Sequence, residues 1–159
     1  MARGAERAGH PACEHQVGAD YDHSGHSAEA IARALGLIAG ELHADKICLS
    51  QWHPDRDLIE TLAESGEQAT DELFPLDDYP LTGKVLREQE AAQVLAGDPS
   101  ADPAEVELML SLGFRSMLLV PVIHRGASLG ILEAQSASDR PWTRTEINRP
   151  GSSPTSWAR

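Results

Sequence analysis

Ile31, Leu35, Ile38 and Leu42 recur at intervals of three and four, the period of one face of an α-helix. The spacing predicts an amphipathic helix over 27–43, with Ser27 as its capping residue. The period then shortens. Ile47, Leu49 and Trp52 stand among polar residues in 44–53, which reads as a strand. Pro54-Asp55-Arg56-Asp57 has turn chemistry, and Leu58–Glu64 reads as the second strand of a hairpin. The stretch 65–78 is polar and irregular, with Phe74 and Leu76 as apolar anchors. Leu81, Val85 and Leu86 predict a short helix over 82–89, followed by a strand at 91–95 and a loop at 97–100. Asp102-Pro103-Ala104-Glu105 is a helix start: a capping Asp, Pro at the first helical position and Glu at the third. That helix carries Val106, Met109 and Leu110 and stops at Gly113. Two further strands, 114–123 and Ala127–Ser136, are joined by His124-Arg125-Gly126. Thr143-Arg144-Thr145-Glu146 is a capping box that opens a closing helix. The order α-β-β-α-β-α-β-β-(α) predicts an α/β chain of the α+β kind: an antiparallel sheet of about five to six strands flanked by helices.

Composition narrows the function classes. Hydrophobic residues make up 41%, too many for a wholly disordered chain, and 159 residues suit one domain. Residues 1–26, rich in Gly, Ala, His and charge, read as a disordered leader or linker. The longest apolar run, 117–123, is strand-length and broken by Pro121, well short of the roughly 18 residues of a membrane span. The N-terminus has no apolar signal stretch, so the expected location is the cytoplasm, away from the membrane. A net charge of −12 with scattered basic residues argues against nucleic acid as a partner. Cys13 lies in the leader and Cys48 in a strand; no disulfide is expected, and Cys48 reads as a small buried apolar residue.

The stretch from Phe114 to Ala134 resembles the last hairpin of a GAF domain. Pro121 stands in the penultimate strand, Gly126 in the turn, and Gly130-Ile131-Leu132-Glu133 in the final strand. Leu81-Thr82-Gly83-Lys84-Val85-Leu86 is similar to the family's short helix before its third strand. The resemblance spans 27–149 and is strongest to GAF modules of bacterial signalling proteins. It implies a regulatory domain without catalysis, which binds a small ligand or a partner and relays through its terminal helices. It also implies a homodimer and an output domain elsewhere. The pocket would lie between sheet and lid, with 65–90 and 96–113 as lid segments. The alternatives are a ligand-free dimerisation module and a thiol-dependent free methionine sulfoxide reductase.

The candidate pocket residues are Trp52, Phe74, Tyr79, Leu81, Val85, Glu133 and Gln135. The aromatics offer stacking surface, and Glu133 and Gln135 are polar positions two apart on one strand face. No cofactor is assigned. Cyclic-nucleotide-binding members carry Asn-Lys after the final strand, then Phe and Asp-Glu; Ser136-Ala137, Trp142 and Glu146-Ile147 stand there. The Cys and the Asp-Ile-Pro step of bilin-binding members are not evident. His53 and His124 read as exposed turn residues rather than haem ligands. His10, Cys13, His15, His23 and His26 lie in the leader with no expected scaffold, so no metal is assigned. A reductase would need a reactive thiolate and a resolving thiol, and Cys48 stands alone in the domain.

The end of the chain departs from the pattern. Arg149-Pro150-Gly151-Ser152-Ser153-Pro154 ends the closing helix within two turns, so 150–159 reads as a non-native tail. A frameshift after Arg149 would account for it, leaving a sensor truncated in its last helix.

Overall fold

The computed structural model describes residues 23–66 and 73–147. Six strands form one antiparallel sheet: β1 (Lys46–His53), β2 (Leu58–Glu64), β3 (Leu73–Pro75), β4 (Ala92–Leu95), β5 (Ser116–His124) and β6 (Ala127–Ser136). Their order across the sheet is β3-β2-β1-β6-β5-β4. The helices are α1 (His23–Leu42), α2 (Pro80–Glu88), α3 (Pro103–Ser111) and α4 (Arg144–Ile147). The α+β architecture with an antiparallel sheet is the expected one.

Three differences from expectation have local causes. The first helix begins at His23, so Ser27 lies inside it rather than capping it. No proline stands between His23 and Ser27 to break the helix, and a capping residue type does not force a terminus. Part of the segment expected to be irregular forms β3, which pairs with β2 through Leu58–Pro75, Ile59–Phe74 and Glu60–Leu73. One 3₁₀ turn, Leu76–Asp78, follows it and buries Leu76. The buried stripe of α1 is Leu35, Ala39 and Leu42, while Ile31 and Ile38 are left half-exposed at its margins. The expected tail, the frameshift and leader residues 1–22 lie outside the described residues, as do the side chains of His23 and His26.

The central strands carry side chains to two different faces. Ile47, Ala63, Leu118, Val120 and Ala134 pack with Leu35, Ala39 and Leu42 of α1 and with Trp142. Ile59, Met117, Leu119 and Ile131 pack instead with Leu76, with Val85 and Leu86 of α2, and with Met109 of α3. Two bulges adjust this alternation. Leu49 pairs with Ala63 and Ser50 with Thr61, so Leu62 is the extra residue and is exposed. Val122 pairs with Gly130 and Ile123 with Ser128, so Leu129 is extra and exposed. The first bulge turns Ala63 to the α1 face while keeping Thr61 and Ile59 on the other.

Both expected helix starts are built, in different ways. Thr143 and Glu146 close a reciprocal box: Thr143 N–H donates to Glu146 Oε2 at 2.7 Å, and Glu146 N–H donates to Thr143 Oγ1 at 3.3 Å. Asp102 accepts from the Ala104 and Glu105 amides at 3.0 and 3.3 Å, but the Glu105 side chain turns away from Asp102. The Arg140 guanidinium lies 4.0 Å over the Trp142 ring and donates to the Leu42 carbonyl at 2.8 Å, joining the end of α1 to the segment before α4.

Gly130 of β6 pairs with Gln51 of β1, and a Cβ built there would overlap the Ser50 carbonyl oxygen. Gly130→Ala should therefore cost roughly 3 kcal/mol, the upper part of the range for overpacking a tight site. Urea denaturation measures it; a loss below about 1 kcal/mol would show that the two strands can separate freely.

Candidate functional site

Strand register sets the floor of a cavity on the face away from α1. Lys46, Gln135 and Met117 form one cross-strand row, because Lys46 pairs with Gln135 and Gln135 with Met117. Glu64, Cys48, Glu133 and Leu119 form the next row. Thr61, Ser50 and Ile131 form the third. Side chains of all three rows bound a cavity of about 60 Å³, roofed by Phe74, Tyr79 and Thr82 and by Leu108 and Leu112 at the end of α3. That volume is room for about two waters, and is far below the roughly 300–1,000 Å³ of a drug-sized ligand site.

The roof is held by a buried carboxylate. Glu105, 1% exposed, accepts a hydrogen bond from the Thr82 backbone N–H at 2.8 Å. Thr82 lies in the first turn of α2, whose capping position, Tyr79, supplies no side-chain bond. Glu105 thus satisfies a free amide of α2 from another helix, where the helix dipole also favours negative charge. Burial raises the pKa of Glu105, and the Thr82 bond works against that rise. At its other end α2 is held by Ser128 Oγ, which donates to the Leu86 carbonyl at 2.6 Å. Gln89, in the left-handed conformation at φ 61°, donates its side-chain amide to the Gly126 carbonyl at 2.8 Å.

The floor is less completely paired. Lys46 and Glu64 form an ion pair at 2.7 Å. Cys48 Sγ lies 3.6 Å from Glu64 Oε1, and burial, followed by the Glu133 and Glu64 charges, pushes its thiol well above the usual range. Glu133 makes no hydrogen bond or ion pair with the described residues. Burial first, then the Glu105 and Glu64 charges, push its pKa up to about 7. Gln135 is 3% exposed; its Nε2 faces Met117 Sδ at 4.0 Å, and its Oε1 is buried without a partner. A thioether only accepts, so the amide nitrogen belongs on the sulfur side and the oxygen is the unsatisfied atom.

Phe74, Tyr79, Glu133 and Gln135 of the expected set line this cavity. Phe74 and Tyr79 meet edge to face, with ring centroids 6.0 Å apart. Trp52, Leu81 and Val85 do not line it; they pack into the apolar cluster on the same side of the sheet. Lys46, Ser50, Thr61, Glu64, Thr82 and Glu105 were missed. Ser50 and Thr61 were readable at period two from Cys48 and Ile59, whereas the partner of Glu105 lies 23 residues away in sequence and carries no local signal. Trp142 is buried beneath α1 on the opposite face, and Ser136 Oγ donates to Asp45 Oδ2 at 3.1 Å, so these positions brace the fold rather than face the cavity. His53 pairs with Glu60 at 2.8 Å and His124 is exposed. Among the described residues no cluster of His, Cys, Asp or Glu could hold a metal ion, and no helix is long and apolar enough to cross a membrane.

The family model for the GAF domain matches residues 27–149. The chain belongs to the GAF domain family. No curated protein matches its sequence. Solved structures share the fold at low identity. The GAF domain of a two-component sensor histidine kinase from Bacillus halodurans is 14% identical, with a TM-score of 0.62 over 75% of this chain and 82% of that one. A phycoerythrobilin-bound GAF domain from a cyanobacterial phytochrome is 18% identical, with a TM-score of 0.63 over 76% of each chain. The PixJ GAF domain of Thermosynechococcus elongatus, in its blue-light-absorbing form, is 21% identical, with a TM-score of 0.61 over 78% of each.

Glu133 gives this GAF domain a pH dependence of definite sign. Its folded pKa of about 7 lies above the ordinary 4.5, so the folded state binds the proton more tightly. The resulting stability is full below pH 4.5 and is lost as pH rises through about 7. The loss is on the order of 3 kcal/mol, at about 1.4 kcal/mol per unit. Urea midpoints should drop from pH 5 to pH 8 by more in the wild type than in Glu133→Gln. Equal drops would show that Glu133 is solvated. Glu105→Ala should cost about 1–3 kcal/mol by stranding the Thr82 amide. Hydrogen exchange should quicken first in α2; protection unchanged there would mean α2 does not depend on the tie.

Proposed function

We propose that residues 27–149 form a non-catalytic sensor module that binds a small ligand between the sheet and the α2–α3 roof. The observation that carries this reading is the unpartnered Gln135 oxygen at the floor of a cavity that also holds the Glu133 carboxyl, unpaired among the described residues. A buried acceptor without a partner costs stability, and such a cost is kept where a ligand repays it. The membership in the GAF family and the fold shared with a sensor kinase domain and phytochrome domains support a sensory role. Its setting is a larger signalling protein in the cytoplasm, with the terminal helices carrying the signal. A thiol reductase is disfavoured because the buried, acid-flanked Cys48 holds its proton.

A second reading, a dimerisation module without a ligand, is favoured by α1. Leu37 is 75% exposed, and Ile31 and Ile38 are each 36% exposed on the same helix. A second copy would cover these side chains.

Native mass spectrometry of the protein purified from a cell extract separates the two. The sensor reading expects a stoichiometric small-molecule adduct that Gln135→Leu abolishes, while that variant gains about 1 kcal/mol in the unliganded state. A clean unliganded dimer, with Gln135→Leu no more stable than wild type, selects the dimerisation module instead.

A further inference from the structure

The chemistry of the cavity is uneven, and the unevenness names a ligand class. Polar and apolar side chains share its depth, with Gln135 and Ser50 beside Met117 and Ile59, and its most exposed lining residue is Leu112. Gln135 and Ser50 are 3% and 2% exposed, while Leu112 at the edge is 49% exposed. Phe74 and Tyr79 stand beside Leu112 as partly buried aromatic surface.

The groups at the floor without a partner among the described residues are an acceptor, Gln135 Oε1, and a carboxyl that accepts when ionised, Glu133. Gln135 Oε1 has no partner, and the nitrogen of the same amide is turned to Met117 sulfur. Glu133 is unpaired among the described residues. The positive side chain that lines the cavity, Lys46, is paired with Glu64 at 2.7 Å. Glu105 adds a further buried carboxylate above the floor. A ligand that satisfies this set must bring N–H donors and positive charge. An anionic head would meet Glu133 and would leave the Gln135 oxygen unpaired.

We propose that the site takes a primary ammonium or amidinium head, donated to Glu133 and Gln135, on a small apolar or aryl body seated against Phe74, Tyr79 and Leu112. This rests on the reading of the cavity as a ligand site. Size agrees: about 60 Å³ is about two liquid-water shares of about 30 Å³, room for an ammonium nitrogen and its attached carbon, and the rest of the body occupies the mouth. The rise in the Glu133 pKa agrees as well, since a desolvated carboxyl gains most from an arriving cation.

The test uses the full chain labelled at methionine methyl groups, with Met117 as the reporter at the floor. Phenethylamine and benzamidine are titrated against 3-phenylpropionate and 2-phenylethanol, which keep the aryl body and change the head. The expected result is a saturable shift of the Met117 resonance by the two cationic probes, at least tenfold tighter than by the acid or the alcohol. Glu133→Gln should bring the amine down to the level of the alcohol. Binding of the acid or the alcohol as tight as that of the amine overturns the cationic class and leaves the ligand site standing. No Met117 shift with any of the four probes overturns both the class and the site.

Discussion

The α2–α3 roof depends on one hydrogen bond between a buried carboxylate and a helix terminus. Each of the two helices is nine residues long, shorter than the roughly 12–15 at which a helix holds by itself in water. Helix α2 has no side-chain cap of its own, and Glu105 of α3 supplies the missing acceptor at Thr82. Removing either helix would therefore strand a polar group of the other. The cavity walls follow from this pairing, because Tyr79 and Thr82 stand at the start of α2, and Leu108 and Leu112 at the end of α3. The same tie explains why two neighbouring carboxyls have different roles. Glu105 has an amide and a helix dipole facing it; Glu133 has neither and is left open to whatever enters.

The two faces of the sheet obey different rules. Under α1 the side chains are mostly apolar, with braces such as Arg140 on the Leu42 carbonyl and Gln93 on the Trp142 amide, and the Trp142 indole nitrogen buried there without a partner. On the other face the rows through Cys48 and Gln135 interleave acids, an amide and a thiol with Met117 and Leu119. A sheet needing only stability would repeat the first pattern on the second face. Departure from local consistency is expected where a site is built, and the ionisable side chains of the sheet's interior rows gather on the side under the short helices.

What the sequence discloses is the direction of side chains, and what it conceals is their depth. Period two placed Glu133 and Gln135 on one face, and the boxes at Thr143 and Asp102 marked real helix starts. Period 3.6 identified α1 and α2 within a few residues. The three-residue β3 was invisible because its pairing with β2, not its composition, makes it a strand. Trp52, Leu81 and Val85 share a face with the cavity but sit in its apolar flank, a distinction set by neighbours from distant segments. Glu105 looked like a member of its own helix's capping box. Only the fold brings Thr82 within 2.8 Å and makes it a clamp instead.

The same strand that ends in the cavity also anchors α1, which fixes how binding at the floor would reach the terminal helix. The Gln135 side chain faces the cavity, while its backbone carbonyl accepts from the Asp45 amide at 2.9 Å, three residues beyond the end of α1. Asp45 in turn accepts from Ser136 Oγ and from the Ala137 amide at 3.1 and 2.7 Å. The Leu42 carbonyl, the last of α1, is held by Arg140. A ligand that draws the Gln135 amide into a new geometry acts on a backbone group bonded directly to the α1 hinge, with no intervening loop. Such a connection transmits a signal only if the α1 terminus has two arrangements and the ligand favours one of them. His43, between the last turn of the helix and the first bond of the sheet, is a non-glycine residue held at φ 51°.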